Sequence, residues 1–274
     1  MNSWRIAAVL GVIEGLTEFL PISSTGHLII AGHLLGFVGD EAASFQVAIQ
    51  LGAILAVVFL YWRRFVRLVP QRGRFSMKPR SAMDGWSGLW RMALATAPAL
   101  AVGYPARHGI KAHLFNPEAV TLALAVGGVG ILLVERLVSR RASTNVDRLS
   151  LPQALGIGLF QILALWPGTS RAAATILGGM LFGLDRKSAA EFSFLIAVPV
   201  LFAASGYELI TMSGQLGGQN TLELSIGFFV SFIVALIAVK GFVRFLERGK
   251  LTPFAWYRII AAPIFYYLTR GLSL

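Results

Sequence analysis

This chain contains no cysteine, which excludes disulfide staples, thiolate nucleophiles and zinc–thiolate centres. Charge is scarce too: 14% of the 274 residues are Asp, Glu, Lys or Arg, where a soluble domain carries about a quarter. There is no P-loop, so nucleotide hydrolysis of that type is excluded. Acidic residues number 13 against 24 basic ones, a net charge of +11. That excess does not mark a nucleic-acid binder, because the bases sit in short loops between apolar runs rather than in a basic domain. What remains is apolar. With 56% hydrophobic residues and a mean hydropathy of +0.70, the chain reads as an all-α, polytopic membrane protein.

Ten apolar segments are expected, at roughly 4–20, 23–36, 43–62, 86–106, 118–138, 151–166, 170–182, 188–210, 222–244 and 253–270. The first holds Glu14 and Glu18 and lacks a small-residue cleavage site, so it is expected to be retained rather than removed as a signal peptide. Crossing the hydrocarbon takes about 20 residues. The first, second, sixth and seventh segments are shorter, and each short pair is joined at a proline-containing turn. Such pairs are the mark of broken or re-entrant hairpins lining a polar cavity.

Charge orients the spans. Arg63, Arg64, Arg67, Arg72, Arg74, Lys78 and Arg80 follow the third, and Arg136, Arg140, Arg141 and Arg148 follow the fifth. Arg186 and Lys187 follow the seventh, and Arg244, Arg248 and Lys250 the ninth. Counting in order puts all four loops on one side, the cytoplasmic one. Asp40, Glu41, Glu223 and both termini fall opposite, with Arg107 and Lys111 as the dissent. Lys187 and Glu191 lie four apart and are expected to pair on one helix face.

The chain also reads as two copies of one pattern. Laying Pro21 on Pro167 sets Ser23 against Thr169, Ser24 against Ser170 and Thr25 against Arg171. This gives a single membrane domain, 1–274, with repeat one at roughly 1–110, repeat two at roughly 118–250 in inverted topology, and a final helix 253–270.

Two stretches carry the chemistry. The first runs EGLTEFLPISSTGH from Glu14 to His27. Glu14 and Glu18 lie one helical turn apart on one face. A bare carboxylate in the bilayer costs at least ~2.5–3.5 kcal/mol, so the pair is expected to share a proton or a cation. Carboxylate oxygens suit Mg²⁺ or Ca²⁺, with substrate phosphate completing the shell. Pro21 ends the helix, and Ser23, Ser24 and Thr25 are good caps for the next. The free N–H groups there would receive phosphate oxygens, and Gly26 would allow close approach. His27 beside them is a candidate nucleophile or general base.

The second stretch runs PGTSRAAAT from Pro167 to Thr175. Gly168, Thr169 and Ser170 repeat the anion-binding device. Arg171 can grip two phosphate oxygens at once, and Thr175 lies one turn beyond it. Together the two stretches predict one site for a phosphate-bearing lipid. Bland readings serve elsewhere: Trp4, Trp62, Trp86, Trp90 and Trp256 as interfacial anchors, and Gly127, Gly128 and Gly130 as helix-packing residues.

On Glu14–His27 and on Pro167–Arg171, in the order of its spans and in the basic loop after the third, the chain resembles the undecaprenyl-diphosphatase family, integral membrane enzymes associated with bacitracin resistance. It departs from the family pattern at Ala172-Ala173-Ala174-Thr175, where Ser-Gly-Ala-Thr is usual, which puts a substrate contact at Ala172 in doubt. The resemblance implies cleavage of undecaprenyl diphosphate to undecaprenyl phosphate and inorganic phosphate. It further implies a divalent cation, an inverted-repeat fold with two re-entrant hairpins, and a site reached from the periplasmic side of the inner membrane. By motif, Glu14, Glu18, Ser24, His27 and Arg171 are its catalytic candidates. The nucleophile stays open among His27, Ser24 and water. The other reading of the same pattern is an inverted-repeat secondary transporter or lipid flippase, with the glutamates as coupling sites. A homodimer is compatible with the sequence, which does not set the oligomeric state.

Overall fold

The computed structural model describes residues 3–70, 81–138, 144–211 and 221–270. Arg72, Arg74, Lys78, Arg80, Arg140 and Arg141 of the basic loops lie outside them. The described residues form α1 (Ser3–Thr17), α2 (Ser24–Leu35), α3 (Asp40–Leu60), α4 (Trp62–Leu68), α5 (Gly85–Leu114) and α6 (Pro117–Leu137). The chain continues through α7 (Leu151–Gln161), α8 (Arg171–Leu181), α9 (Arg186–Thr211), α10 (Thr221–Leu246) and α11 (Thr252–Thr269). The architecture is all-α, as composition predicts.

Two differences from the expected segments stand out. α4 turns the start of the basic loop into a helix, bent 79° from the end of α3. α5 does not stop near Ala106 but runs through Pro98 and Pro105 to Leu114, because proline is tolerated inside membrane helices whose neighbours re-satisfy the freed carbonyls. Among the described residues, α6, α9 to Tyr207, and α10 are each long and apolar enough to cross a membrane, and α3 with α4 passes as a bent pair. The tryptophans expected as anchors, Trp4, Trp62, Trp86, Trp90 and Trp256, are all exposed.

Local sequence explains where helices begin. Asn116 accepts from the Ala119 N–H at 2.8 Å, with Pro117 in the first turn of α6. Ser150 and Gln153 form a reciprocal capping box for α7. Helices then associate through small residues, since apolar packing alone gives little preference within lipid. Gly11 and Gly15 bring α1 against Gly227, Ser231 and Ala235 of α10.

The packing pattern positions the site. α10 packs on α1 and α3; α5 packs on α7 and α9. α3 meets α9 at the centre, and α6 lies along α11. α2 touches α11, and α8 touches α6. The two chain breaks, between α1 and α2 and between α7 and α8, are thereby brought face to face.

At the basic end, the structure corrects one pairing. Lys187 bonds Glu247 at 2.8 Å, not Glu191, which lies 3.5 Å from Arg64. A Lys placed before a Glu is the weaker order for an i,i+4 pair, and tertiary partners displace it.

Candidate active site

α1 ends at Thr17, but the Glu18 N–H still bonds the Glu14 carbonyl at 2.9 Å. The two carboxylates therefore keep the one-turn spacing that the sequence predicts. Pro21 and Ile22 follow in a turn, and α2 restarts at Ser24. In the second break, a 3₁₀ turn at Ile162–Leu165 leads into Pro167, and α8 restarts at Arg171.

The residue before each new helix has the same unusual backbone. Ser23 has φ 72° and Ser170 φ 72°, the two non-glycine residues with positive φ among those described. Such left-handed conformations cost on the order of 1–3 kcal/mol each and gather at functional sites. Matching the breaks by these two residues sets Ser23 beside Ser170, and Ser24 beside Arg171. Matching the prolines instead sets Ser23 beside Thr169, because the second turn carries one more residue between its proline and its cap. That turn needs Gly168, whose φ is +95° and whose missing Cβ would overlap the Val120 carbonyl of α6.

Between the breaks lies a cavity of about 210 Å³. Glu18, Ser23, Ser24 and Thr25 line it from the first break; Pro167, Gly168, Ser170 and Arg171 line it from the second. Glu18 is the hub. It receives the Ser24 Oγ–H at 2.6 Å on one oxygen and Arg171 Nη2 at 3.3 Å on the other. Arg171 also donates from Nη1 to the Ser193 carbonyl at 3.1 Å, while Thr175 and Ser193 share a hydrogen bond of 2.6 Å behind it. Its Nε is buried without a hydrogen-bond partner. The Phe19 ring lies 5.7 Å from its guanidinium carbon.

Other candidates sit around this centre in different ways. Glu14 is buried and is not among the residues lining the cavity, and its Oε1 has no hydrogen-bond partner. Ser170 caps the Ala173 N–H at 3.2 Å. The Thr169 carbonyl is turned to the Arg258 guanidinium. Gly26 has only ordinary neighbours, with Val120 at 3.7 Å from where a Cβ would stand. Thr175 is buried behind Arg171 rather than in the cavity wall, and Ala172 is buried in the main core.

His27 is not brought to the carboxylates. Its Nδ1 lies 2.7 Å from the Ser23 carbonyl and its Nε2 2.5 Å from the Tyr257 hydroxyl of α11. A carbonyl only accepts, so Nδ1 carries the proton and Nε2 accepts from Tyr257. The ring stacks on Tyr257 and meets the edge of Phe265.

Four residues of this region escape sequence reasoning. Gln50 and Gln161 line the cavity. Gln161 donates to the Ala95 carbonyl at 3.1 Å, and its Oε1 is buried and unpartnered. Tyr257 holds His27. Arg258, wholly buried, reaches both breaks. The signal for Arg258 is in the sequence, an arginine inside an otherwise apolar span; for the glutamines and Tyr257 there is none.

Known proteins resemble this chain along nearly its whole length. The family described as "Bacitracin resistance protein BacA" matches residues 7–264. An "Undecaprenyl-diphosphatase" of Solidesulfovibrio magneticus is 54% identical over 268 residues, covering 97% of this chain and 99% of the relative. Proteins of that name from Maridesulfovibrio salexigens and Nitratidesulfovibrio vulgaris are each 52% identical, over 96% and 97% of this chain and 98% of theirs.

Proposed function

The chain belongs to the bacitracin resistance protein BacA family, and we propose from this premise that it hydrolyses undecaprenyl diphosphate to undecaprenyl phosphate and inorganic phosphate. It is a multi-pass membrane enzyme, a phosphoric anhydride hydrolase, that returns the lipid carrier to peptidoglycan synthesis and contributes to bacitracin resistance. The observation that carries the reading is the hub at Glu18, where a hydroxyl from one break and a guanidinium from the other meet one buried carboxylate.

The chemistry follows from those partners. The diphosphate head enters the cavity while the prenyl tail stays among the helices and lipid. Arg171 and the N-termini of α2 and α8 stabilise the charge that develops on the transferred phosphoryl group. Glu18 accepts the Ser24 proton as Ser24 Oγ attacks the terminal phosphorus. The bridging P–O bond breaks and undecaprenyl phosphate leaves, and water then releases phosphate from the serine. His27, bonded to Ser23 and Tyr257, holds the first cap in place rather than taking that proton.

A divalent cation, Mg²⁺ or Ca²⁺, suits the donors present: the unpartnered Glu14 Oε1 is a buried oxygen without a donor. Glu14 and Glu18 would hold it, and it would offset phosphate charge. No group of three His, Asp or Glu side chains is arranged for a metal among the described residues, so substrate oxygens would complete the shell.

The reading includes two inverted copies, α1–α6 without α4 and α7–α11, and the packing supports it. Exchanging α1 with α7, α2 with α8, α3 with α9, α5 with α10 and α6 with α11 carries most of the main helix contacts onto one another. In this division the first copy extends through α6, and α11 is its counterpart rather than an appendage. The positive-inside bias supports a bacterial inner-membrane orientation with the site open to the periplasm.

The test is phosphate release from undecaprenyl diphosphate by purified protein in detergent, with and without divalent cation. Transport needs sealed vesicles and hydrolysis does not, so release in detergent separates this function from that of a transporter. No release under any cation would overturn the proposal.

A further inference from the structure

Arg258 stands in the middle of α11 with no exposure, the largest fully buried side chain among the described residues. No carboxylate lies within ion-pair distance of it among the described residues. A buried, unpaired guanidinium in a membrane protein requires a physical reason. Here every one of its five N–H donors goes to a backbone carbonyl. Nε donates to Leu124 at 3.0 Å, and Nη2 to Ala123 at 3.1 Å and Gly168 at 3.0 Å. Nη1 donates to Pro21 at 3.1 Å and Thr169 at 2.8 Å.

Those carbonyls come from three separate segments: the first break, the second break, and α6. Two of the three segments are the turns that present the cavity caps. Because a peptide unit is planar and trans, a carbonyl drawn toward Arg258 turns the following N–H away from it. The Thr169 carbonyl thus fixes the direction of the Ser170 N–H, one residue before Arg171. The Pro21 carbonyl does the same one residue before Ser23. Both cap serines hold a left-handed φ, a conformation that persists only where its surroundings enforce it. Room for the guanidinium is reserved on α6: a Cβ at Gly127 would overlap Arg258 Nη2.

We propose that Arg258 is a positioning residue for phosphoryl transfer. It clamps the Pro21–Ser23 turn to the Pro167–Ser170 turn, so that Glu18 and Ser24 face Arg171 across one cavity. Its planar fork spans both turns at once, which a lysine ammonium cannot do. The clamp rests on the hydrolase reading for its effect on rate, but not for its effect on the turns.

The test compares wild type with Arg258→Met, Arg258→Lys and Gly127→Ala, each as purified, folded protein. In Arg258→Met, kcat for release of phosphate from undecaprenyl diphosphate is expected to fall roughly 10- to 100-fold, the scale of a small misplacement of reacting groups. KM should change by less than about threefold, and Arg258→Lys should recover only part of kcat. The penalty of Arg171→Lys should be smaller in the Arg258→Met background than in wild type, because the two residues serve one geometry. Amide hydrogen exchange should quicken at residues 22–26 and 168–173 and stay unchanged in α10. Gly127→Ala, which crowds the guanidinium without removing it, should reproduce the local exchange and decides the matter if Arg258→Met does not fold. Unchanged kcat per folded molecule, multiplicative penalties, or exchange that rises uniformly through all helices would overturn the clamp. Wild type that releases no phosphate would refute the hydrolase reading, and the exchange pattern would then judge the clamp alone.

Discussion

The Glu18 carboxylate and the Arg171 guanidinium, 153 residues apart in sequence, lie 3.3 Å apart with both side chains almost wholly buried. Each half of the molecule supplies one partner, so neither half holds the site alone. Removing one member of a buried ion pair typically costs 3–5 kcal/mol because the other is left uncompensated. Removing a transition-state donor costs about 10²–10³ in rate. Arg171→Ala is therefore expected to lose about 10²–10³ in kcat and also melt at lower temperature. Arg171→Lys should keep most of the stability and still lose turnover, since an ammonium cannot bond Glu18, the Ser193 carbonyl and phosphate in one plane. Near-normal release by purified Arg171→Ala would remove its role.

Ser24 donates to Glu18, and His27 does not touch either residue. A rapid acid or detergent quench during turnover should trap a phosphoryl group, and peptide mapping should find it on Ser24. Ser24→Ala should abolish the adduct and most of the release. A phosphohistidine at His27 would instead require the Tyr257 bond to break during the cycle, and it would overturn the serine assignment.

Glu14 keeps a buried oxygen with no donor. If Glu14 helps hold the cation, chelation should stop phosphate release and added Mg²⁺ or Ca²⁺ should restore it. Glu14→Gln should then raise the cation concentration needed for half-maximal rate. Full activity of wild type in excess chelator would contradict this.

At the basic end, Asp147 receives Arg64 at 2.7 Å and Ser81 at 2.6 Å. Burial pushes its carboxyl upward, but these bonds and the charges of Arg64 and Arg67 win and hold it below its usual 3.8. With the folded value below the unfolded one, the carboxylate's contribution is present above the unfolded value and fades as pH falls through the folded one. Melting temperature against pH should therefore drop more steeply below about pH 4 in wild type than in Asp147→Asn. Equal acid slopes would show that this cluster adds nothing.

Much of the fold can be read from the chain, and the reasons are local. Pro21 and Pro167 each fall in a chain break, and Ser170 caps the helix that follows the second, whereas Ser23 precedes α2 without a side-chain cap bond. Misreadings arise where partners come from afar. Lys187 and Glu191 have the spacing to pair, yet Glu247 and Arg64 reach them first. The fourth apolar segment reads as ending near residue 106, yet the helix continues to Leu114 because its surroundings tolerate the bond missing at Pro105. The two breaks align by their prolines in sequence, but by their strained serines in space.

By itself the sequence determined that the chain is a helical membrane protein, where it breaks, and which of its few charges lie inside apolar runs. Those properties depend on neighbours within a turn or two, through hydrophobicity, capping and proline sterics. Only the tertiary structure decided that Glu18 faces Arg171, that His27 turns to Tyr257, and that the Arg258 donors reach both breaks. A side chain's hydrogen-bond partner is chosen by whichever group the returning chain brings within about 3 Å, and spacing along the sequence does not contain that choice.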